Sequence, residues 1–301
     1  MTLSSNFFTK LDNSFRKNVK LANYSWFNLG GNAEYFYKAK DKNQLIEFLK
    51  EIKKKKLKTT ILGAGSNILF RDKGVKGVVI KLGNNFSYTN LLEKNIIATG
   101  AATLDRKVAN FAKENNLENL EFLSCIPGSI GGAIIMNSSC YNNDISKVLI
   151  SLQAVDKNKL SVIEIKKEDI KFSYRGTNLP NDLIIISAKF QGSIGKKEDI
   201  EKRQKNLIEK KKLSQPSQIK TCGSTFKNLS IDKKAWMLIK ESGCENFREG
   251  DAIISQKHCN FFVNDGNAKA TDIEKLINRV KKKVFEKTGV SLELEIKIFG
   301  E

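Results

Sequence analysis

The 301-residue sequence contains a single histidine, His258, and only three prolines. One imidazole excludes a histidine-rich metal centre, and any serine–histidine catalytic pair would rest on that residue alone. With so little proline, no low-complexity run and no internal repeat, a proline-rich linker is excluded too. The five cysteines, Cys125, Cys140, Cys222, Cys244 and Cys259, are odd in number and none has CxxC spacing. Free thiols in a reducing cytoplasm are the simplest account. No stretch approaches the ~20 apolar residues of a membrane span, and residues 1–8 lack the apolar run of a signal peptide. A cytoplasmic protein without a membrane anchor is expected.

Acidic side chains are scarce beside basic ones, 33 against 52, for a net charge of +19. That field favours anionic partners: nucleic acid, a membrane surface or a phosphorylated small molecule. The lysine runs 53–56, 210–212 and 281–283 sit inside or at the ends of separate helical patterns, which suits solvated helix faces. No arginine-rich arm or aromatic RNA motif accompanies them, which argues against nucleic acid. A basic nucleic-acid-binding protein stays as the remote alternative, with a steep salt dependence as its signature. Apolar residues at 40% and charged residues at 28% suit a soluble globular chain, long enough for two or three domains.

What is present is organised around Thr59–Phe70. An apolar strand runs into Gly63-Ala64-Gly65-Ser66-Asn67 and directly on into Ile68-Leu69-Phe70. Glycines here permit positive φ and close approach of a ligand, and successive amides can form a nest for anionic oxygens such as those of a pyrophosphate. By itself the loop also fits a plain turn. It is not a Rossmann fingerprint: Ile68 stands where the third glycine belongs, and a turn and strand follow instead of a helix.

Residues 1–23 read as a short helix or arm, and the double glycine Gly30-Gly31 separates two aromatic segments. Asp41 with Gln44 resembles a capping box. Leu45, Phe48, Leu49 and Ile52 share a helical face over 41–56. A strand is expected at 96–101, then a helix capped by Thr103 with Leu104, Val108, Phe111 and Ala112 inward. A second glycine-rich stretch, Ile126-Pro127-Gly128-Ser129-Ile130-Gly131-Gly132, precedes strands at 148–156, 160–165 and 183–191. A basic helix over 196–212 is followed by a helix from Ala235 and strands near 252–255 and 261–264. Thr271 and Glu274 form a second expected capping box, with Ile273, Leu276, Ile277, Val280 and Val284 inward and Gly289 as the C-terminal αL residue. The final strand alternates Leu292, Leu294, Ile296 and Ile298 against Glu293, Glu295 and Lys297.

Six motifs stand in a familiar order: Gly63–Asn67, Ile126–Gly132, Phe172-Ser173-Tyr174-Arg175, Cys222-Gly223-Ser224-Thr225-Phe226-Lys227-Asn228, Ser255-Gln256-Lys257-His258 and Leu292-Glu293-Leu294-Glu295. From about residue 20 to 300 the chain resembles the UDP-N-acetylenolpyruvoylglucosamine reductase family (MurB). The resemblance implies an α+β fold: an FAD-binding module of the vanillyl-alcohol-oxidase (PCMH) type made of two α/β subdomains, 1–82 and 83–194, plus a C-terminal α+β substrate-binding domain, 195–301. It implies FAD, with NADPH as co-substrate. It also implies reduction of UDP-N-acetylglucosamine enolpyruvate to UDP-N-acetylmuramate, in peptidoglycan precursor synthesis and so in cell-wall biogenesis, cell shape and cell division. The short interval from Arg175 to Ser224 resembles the subclass without an inserted tyrosine lid loop. A monomer is expected.

By the same resemblance, Gly63, Ala64, Gly65, Ser66, Asn67, Pro127, Gly128, Ser129, Gly131 and Gly132 bind the cofactor. Tyr141, Tyr174, Lys227 and Asn228 hold the nucleotide sugar. Hydride addition beside a carboxylate builds an enolate-like dianion, so Arg175 is expected to grip that carboxylate, Ser224 to donate the proton, and Glu295 to orient and stabilise the enolate while holding or sharing a proton. His258 is expected to be structural or substrate-adjacent. The sequence departs from the family at Leu229, where proline is usual, and at Ser138-Ser139-Cys140, where smaller residues usually precede Tyr141. A sugar or hydroxy-acid oxidase of the same flavin fold is the nearer alternative.

Overall fold

The computed structural model describes residues 11–230 and 232–301. The expected N-terminal arm therefore lies in part outside the described residues. The chain divides into two compact units: the first takes the chain up to Arg16, Tyr35–Ala64 and Gly77–Lys211, the second Lys17–Glu34, Gly65–Lys76 and Lys212–Glu301.

The first unit has two cores. In one, the strands Asn32–Ala39, Val75–Leu82 and Thr59–Leu62 lie side by side in that order, the last two pairing in parallel with Thr59 opposite Val78. The helix Lys42–Lys54 buries Leu45, Phe48, Leu49 and Ile52 against Tyr37, Val78 and Ile80. Asp41 caps it, its carboxylate accepting from Gln44 N–H at 2.9 Å. The Gln44 side chain turns back to Lys40 N–H at 2.9 Å, one residue short of a capping box. The other core is built on an antiparallel five-stranded sheet in the order Ser161–Lys166, Leu149–Asp156, Leu183–Gln191, Ile96–Gly100, Thr89–Glu93. Against it pack the helix Asp105–Glu114 and the short helix Ile130–Ile135, through Val108, Ala109, Ala112, Ile130 and Ile134. Thr103 does not cap the first of these. Its hydroxyl donates to the Tyr88 carbonyl at 2.9 Å, leaving Leu104, 38% exposed, at the N-cap.

In the second unit the helix Ala270–Thr288 buries Ile273, Leu276, Ile277, Val280 and Val284. Its core takes in Phe27, Leu29 and Leu69 together with Phe226, Phe262, Leu292 and Ile296. The αL C-cap is Gly289, φ +70°. The expected box of Thr271 and Glu274 does not form. Asp72 caps the helix from far away in sequence, accepting from Ala270 N–H and Thr271 N–H at 2.9 Å each, while Glu274 pairs with Arg71 at 2.9 Å. Those contacts hold the Asp72 carboxyl below its usual range despite its partial burial. The final segment keeps its alternation but not one continuous strand. Leu294 bridges Phe226, and a three-residue strand, Lys297–Phe299, pairs in parallel with Ile68–Phe70.

Candidate active site

Within the first unit the two glycine turns lie against each other. A Cβ on Gly63 would sit 3.0 Å from Ser129 Oγ. Gly63 follows the Thr59–Leu62 strand, and its carbonyl accepts from the Lys81 ammonium at 2.5 Å. Ser129 is buried and bridges Leu104, while Gly131 N–H donates to the Ala101 carbonyl at 2.9 Å. Pro127 is exposed and Gly132 faces open space, with nothing within 4 Å of a hypothetical Cβ.

Two charged residues that the sequence reading passed over flank this junction. Burial pulls the Lys81 pKa down, and the neighbouring Lys38 ammonium adds to the effect. Asp105 is fully buried, with both carboxylate oxygens lacking a partner among the described residues, and burial pushes its pKa well up. Its Oδ2 would be 2.6 Å from a Cβ on Gly128. A cofactor with a diphosphate fits here. Lys81 supplies a half-buried cation whose pKa an arriving anion would raise, and the glycines leave the backbone open to close approach. A strand lysine reads as solvated in a sequence, and Asp105 reads as an ordinary first-turn acid, so only burial reveals either.

Arg175 sits in a tight hairpin, Phe172–Ser173 paired with Gly176–Thr177, at φ +58°. A non-glycine residue there costs on the order of 1 kcal/mol or more, and such strain marks positions where side-chain aim matters. Its guanidinium donates to Ser139 Oγ at 2.6 Å and stacks 5.1 Å over the Tyr174 ring. Ser139 begins a second hairpin, Ser139–Cys140 with Asn143–Asp144, whose turn residues Tyr141 and Asn142 both have positive φ, as a type I′ turn requires. The structure thus brings Tyr141, Tyr174 and Arg175 together on two neighbouring turns, with both tyrosines exposed.

In the second unit, Ser224 follows Gly223, at φ +80°, and bridges Phe261. On one side Thr225 N–H donates to the Asn260 carbonyl at 2.7 Å; on the other Glu295 N–H donates to the Thr225 carbonyl at 2.9 Å. Asn260 completes the clamp, taking Phe226 N–H at 2.9 Å and returning its amide to the Phe226 carbonyl at 2.8 Å. Ser224 and Glu295 are therefore held on adjacent segments. Lys227 pairs with Glu293 at 3.3 Å, and Asn228 Oδ1 accepts from Ala235 N–H at 3.1 Å, capping the Ala235–Glu241 helix.

The Gly65–Asn67 half of the first glycine loop belongs to this unit. Gly65, φ +75°, accepts from Trp26 N–H at 3.0 Å. Ser66 is half-buried in the turn. Asn67 reaches the Glu295 carbonyl with its amide at 3.1 Å and accepts from Lys297 N–H at 3.0 Å. Much of Asn67 thus serves to fasten the loop to the strand that carries Glu295. His258 Nδ1 accepts from Asn260 N–H at 3.2 Å, its ring meets Phe261 edge-on, and burial pulls its pKa down.

Comparison with known proteins agrees with this anatomy. An FAD binding domain matches residues 33–162, and a UDP-N-acetylenolpyruvoylglucosamine reductase C-terminal domain matches residues 215–299. These modules define a flavin-dependent oxidoreductase. A UDP-N-acetylenolpyruvoylglucosamine reductase from Pelagibacter ubique is 46% identical over 97% of both chains. One from Rickettsia bellii is 42% identical over 95% of this chain and 94% of its own. The crystal structure of the Thermus caldophilus enzyme superimposes with a TM-score of 0.83 at 30% identity, covering 95% of this chain and all of that one. The chain belongs to the UDP-N-acetylenolpyruvoylglucosamine reductase family.

Two substitutions probe this glycine junction. Gly132→Ala lies inside the Ile130–Ile135 helix and meets no protein atom. It is expected to raise apoprotein stability by about 0.5–1 kcal/mol while weakening FAD binding, opposite signs that a melting curve and a fluorescence titration read separately. Asp105→Asn removes a carboxyl whose folded pKa lies above its unfolded value. Such a group costs stability once pH rises past the ordinary carboxylate range, because only the unfolded chain then gives up the proton freely. The variant is expected to melt higher than wild type at neutral pH, with the gap closing on acidification towards pH ~4.

Proposed function

We propose that this chain reduces UDP-N-acetylglucosamine enolpyruvate to UDP-N-acetylmuramate with NADPH, as a cytoplasmic monomer in peptidoglycan precursor synthesis. The observation that carries the reading is the clamped segment that holds Ser224 beside Glu295, fastened through Asn67 to the glycine loop. Hydride transfer from NADPH to the enolpyruvyl double bond is the chemistry supplied by bound FAD.

The protein's own residues do the rest. Arg175 grips the substrate carboxylate and stabilises the negative charge that develops on it, since a guanidinium offers two parallel donors. Ser224 Oγ gives its proton to the carbanionic carbon. A hydroxyl is a weak acid, but this carbon is a strong base and needs one donor on one face. Glu295, protonated or sharing a proton, supports the enolate. Tyr141, Tyr174, Lys227 and Asn228 hold the nucleotide sugar. Gly63–Asn67, Pro127–Ser129, Gly131 and Gly132 hold FAD.

Strands Gly176–Thr177, Leu183–Gln191 and Ser193–Ile194 and the helix Lys197–Ser214 occupy most of the interval from Arg175 to Ser224, which favours the form without a lid. The helix Lys197–Ser214 and every other described helix are too short or too polar to cross a membrane.

The decisive assay follows NADPH oxidation with and without the enolpyruvyl nucleotide. Oxidation that depends on the nucleotide is expected. Oxygen consumption with free sugars or hydroxy acids, indifferent to the nucleotide, would overturn the assignment in favour of an oxidase.

A further inference from the structure

The reductase chemistry gives Cys140 no work. Its side chain is half-buried in the Ser139–Cys140 strand. Cys125 closes the turn Glu121–Cys125, just before Ile126-Pro127-Gly128, and is buried. Fifteen positions separate them in sequence, and no motif links them. In the fold the Glu121–Cys125 turn packs against the Ser139–Cys140 strand, which brings the two cysteines side by side.

The surroundings are cationic. The Lys211 side chain is half-buried, its ammonium donates to the Cys125 carbonyl, and its charge acts on both sulfurs. The Arg175 guanidinium, bonded to Ser139, also acts on Cys140. Ser124 Oγ lies 3.8 Å from Cys125 Sγ. The neighbouring Cys140 thiol and the Lys211 charge pull the Cys125 pKa down to about 6, while Cys125 and burial push that of Cys140 up. The other three cysteines contrast with this pair. Burial drives the Cys222 and Cys244 thiols up to about 11, and burial likewise raises Cys259. Of the five cysteines only Cys125 is shifted towards the thiolate form, the form that reacts.

We propose that Cys125 and Cys140 form a hydroperoxide-sensitive dithiol that closes to an intramolecular disulfide. The Cys125 thiolate attacks an oxygen of the hydroperoxide: an S–O bond forms, the O–O bond breaks, and the departing alkoxide takes a proton from water to become an alcohol. The Cys140 sulfur then attacks the Cys125 sulfenic acid. An S–S bond forms, the S–O bond breaks, and hydroxide leaves with the Cys140 proton as water. The dithiol loses two electrons and the hydroperoxide gains them. The bridge ties the Glu121–Cys125 turn to the hairpin bearing Tyr141 and Ser139, the partner of Arg175, so oxidation constrains the turns on which those side chains sit. A thiol reductant restores the starting state.

The FAD-loaded protein, treated with equimolar tert-butyl hydroperoxide and mapped by peptide mass, tests this without reference to turnover. A peptide linked through Cys125 and Cys140 is expected to accumulate at least about tenfold faster than oxidation at Cys222, Cys244 or Cys259, and to vanish with dithiothreitol. Cys140→Ser is expected to yield no linked peptide and a sulfenic acid at Cys125 that dimedone captures. Lys211→Gln is expected to slow the wild-type reaction several-fold. Label spread evenly over all five cysteines would overturn the proposal. So would bridges between molecules, or a persistent Cys125 sulfenic acid in the wild type. Should Cys140→Ser fold poorly, the site-resolved rates of the wild type decide alone.

Discussion

The Ser224→Ala protein is expected to bleach its flavin with NADPH at the wild-type rate while turnover of the enolpyruvyl nucleotide falls by about 10²–10⁴-fold, the usual worth of a positioned general acid. The expectation rests on how the serine is held. Gly223 at φ +80° sets the turn, the backbone bridges Phe261, and Thr225 and Phe226 are fastened to Asn260 and Glu295. None of these contacts uses the Ser224 hydroxyl. Removing that one oxygen therefore deletes the proton and leaves its scaffold in place, with a stability change within about 0.5 kcal/mol. Stopped-flow absorbance separates the two half-reactions: reduction by NADPH in one mixing, reoxidation by the nucleotide in the next. If both slow together, Ser224 is a binding or folding residue and not the acid.

The second large effect is structural. Gly65→Ala is expected to destabilise the protein by about 3 kcal/mol or more and to abolish FAD retention. Two costs add. At φ +75° an alanine is strained whatever the space, and its Cβ would lie 1.8 Å from the Tyr24 carbonyl oxygen, which is main chain and has no rotamer to escape into. The surrounding loop is held by Trp26 N–H on the Gly65 carbonyl and by Ser25 Oγ on the Ile68 carbonyl at 2.7 Å, so the backbone cannot yield without losing them. Gly289→Ala isolates the first cost: φ is +70°, but no atom lies within 4 Å of its Cβ. It is expected to cost only about 1 kcal/mol. Urea unfolding of the pair, with flavin content measured by absorbance, checks both figures. Equal midpoints would remove the steric argument.

Much of this was legible in the sequence where one face of one element decides the outcome. The helices Lys42–Lys54 and Ala270–Thr288 bury the side chains that their periodicity points inward, and Gly289 ends the second as expected. The ordered motifs carried the family. Helix starts were misread where the partner comes from elsewhere: Asp72 caps Ala270–Thr288, and Tyr88 draws the Thr103 hydroxyl away. A local pattern cannot report a partner about two hundred residues off. Segment 292–296 kept its alternating burial but pairs through a single bridge, because its neighbour, the Ser224–Asn228 turn, is itself irregular. Lys81 and Asp105 escaped notice because a lysine in a strand and an acid in a first helical turn are ordinary until their burial is known. The positive φ of Arg175 had no sequence signal, since strain at a non-glycine residue is imposed by the surrounding fold.

The reliance of the Ala270–Thr288 helix on Asp72, and of its core on Phe27, Leu29 and Leu69, bears on how the protein is made. During translation, the stretch Gly77–Lys211 of the first unit is complete while the second still lacks its last ninety residues, Lys212–Glu301. Early segments such as Trp26–Leu29 and Ile68–Asp72 must wait, their apolar side chains without a home, until the ribosome delivers the C-terminal helix. A nascent chain arrested before residue 270 therefore leaves Phe27, Leu29 and Leu69 without the helix that covers them.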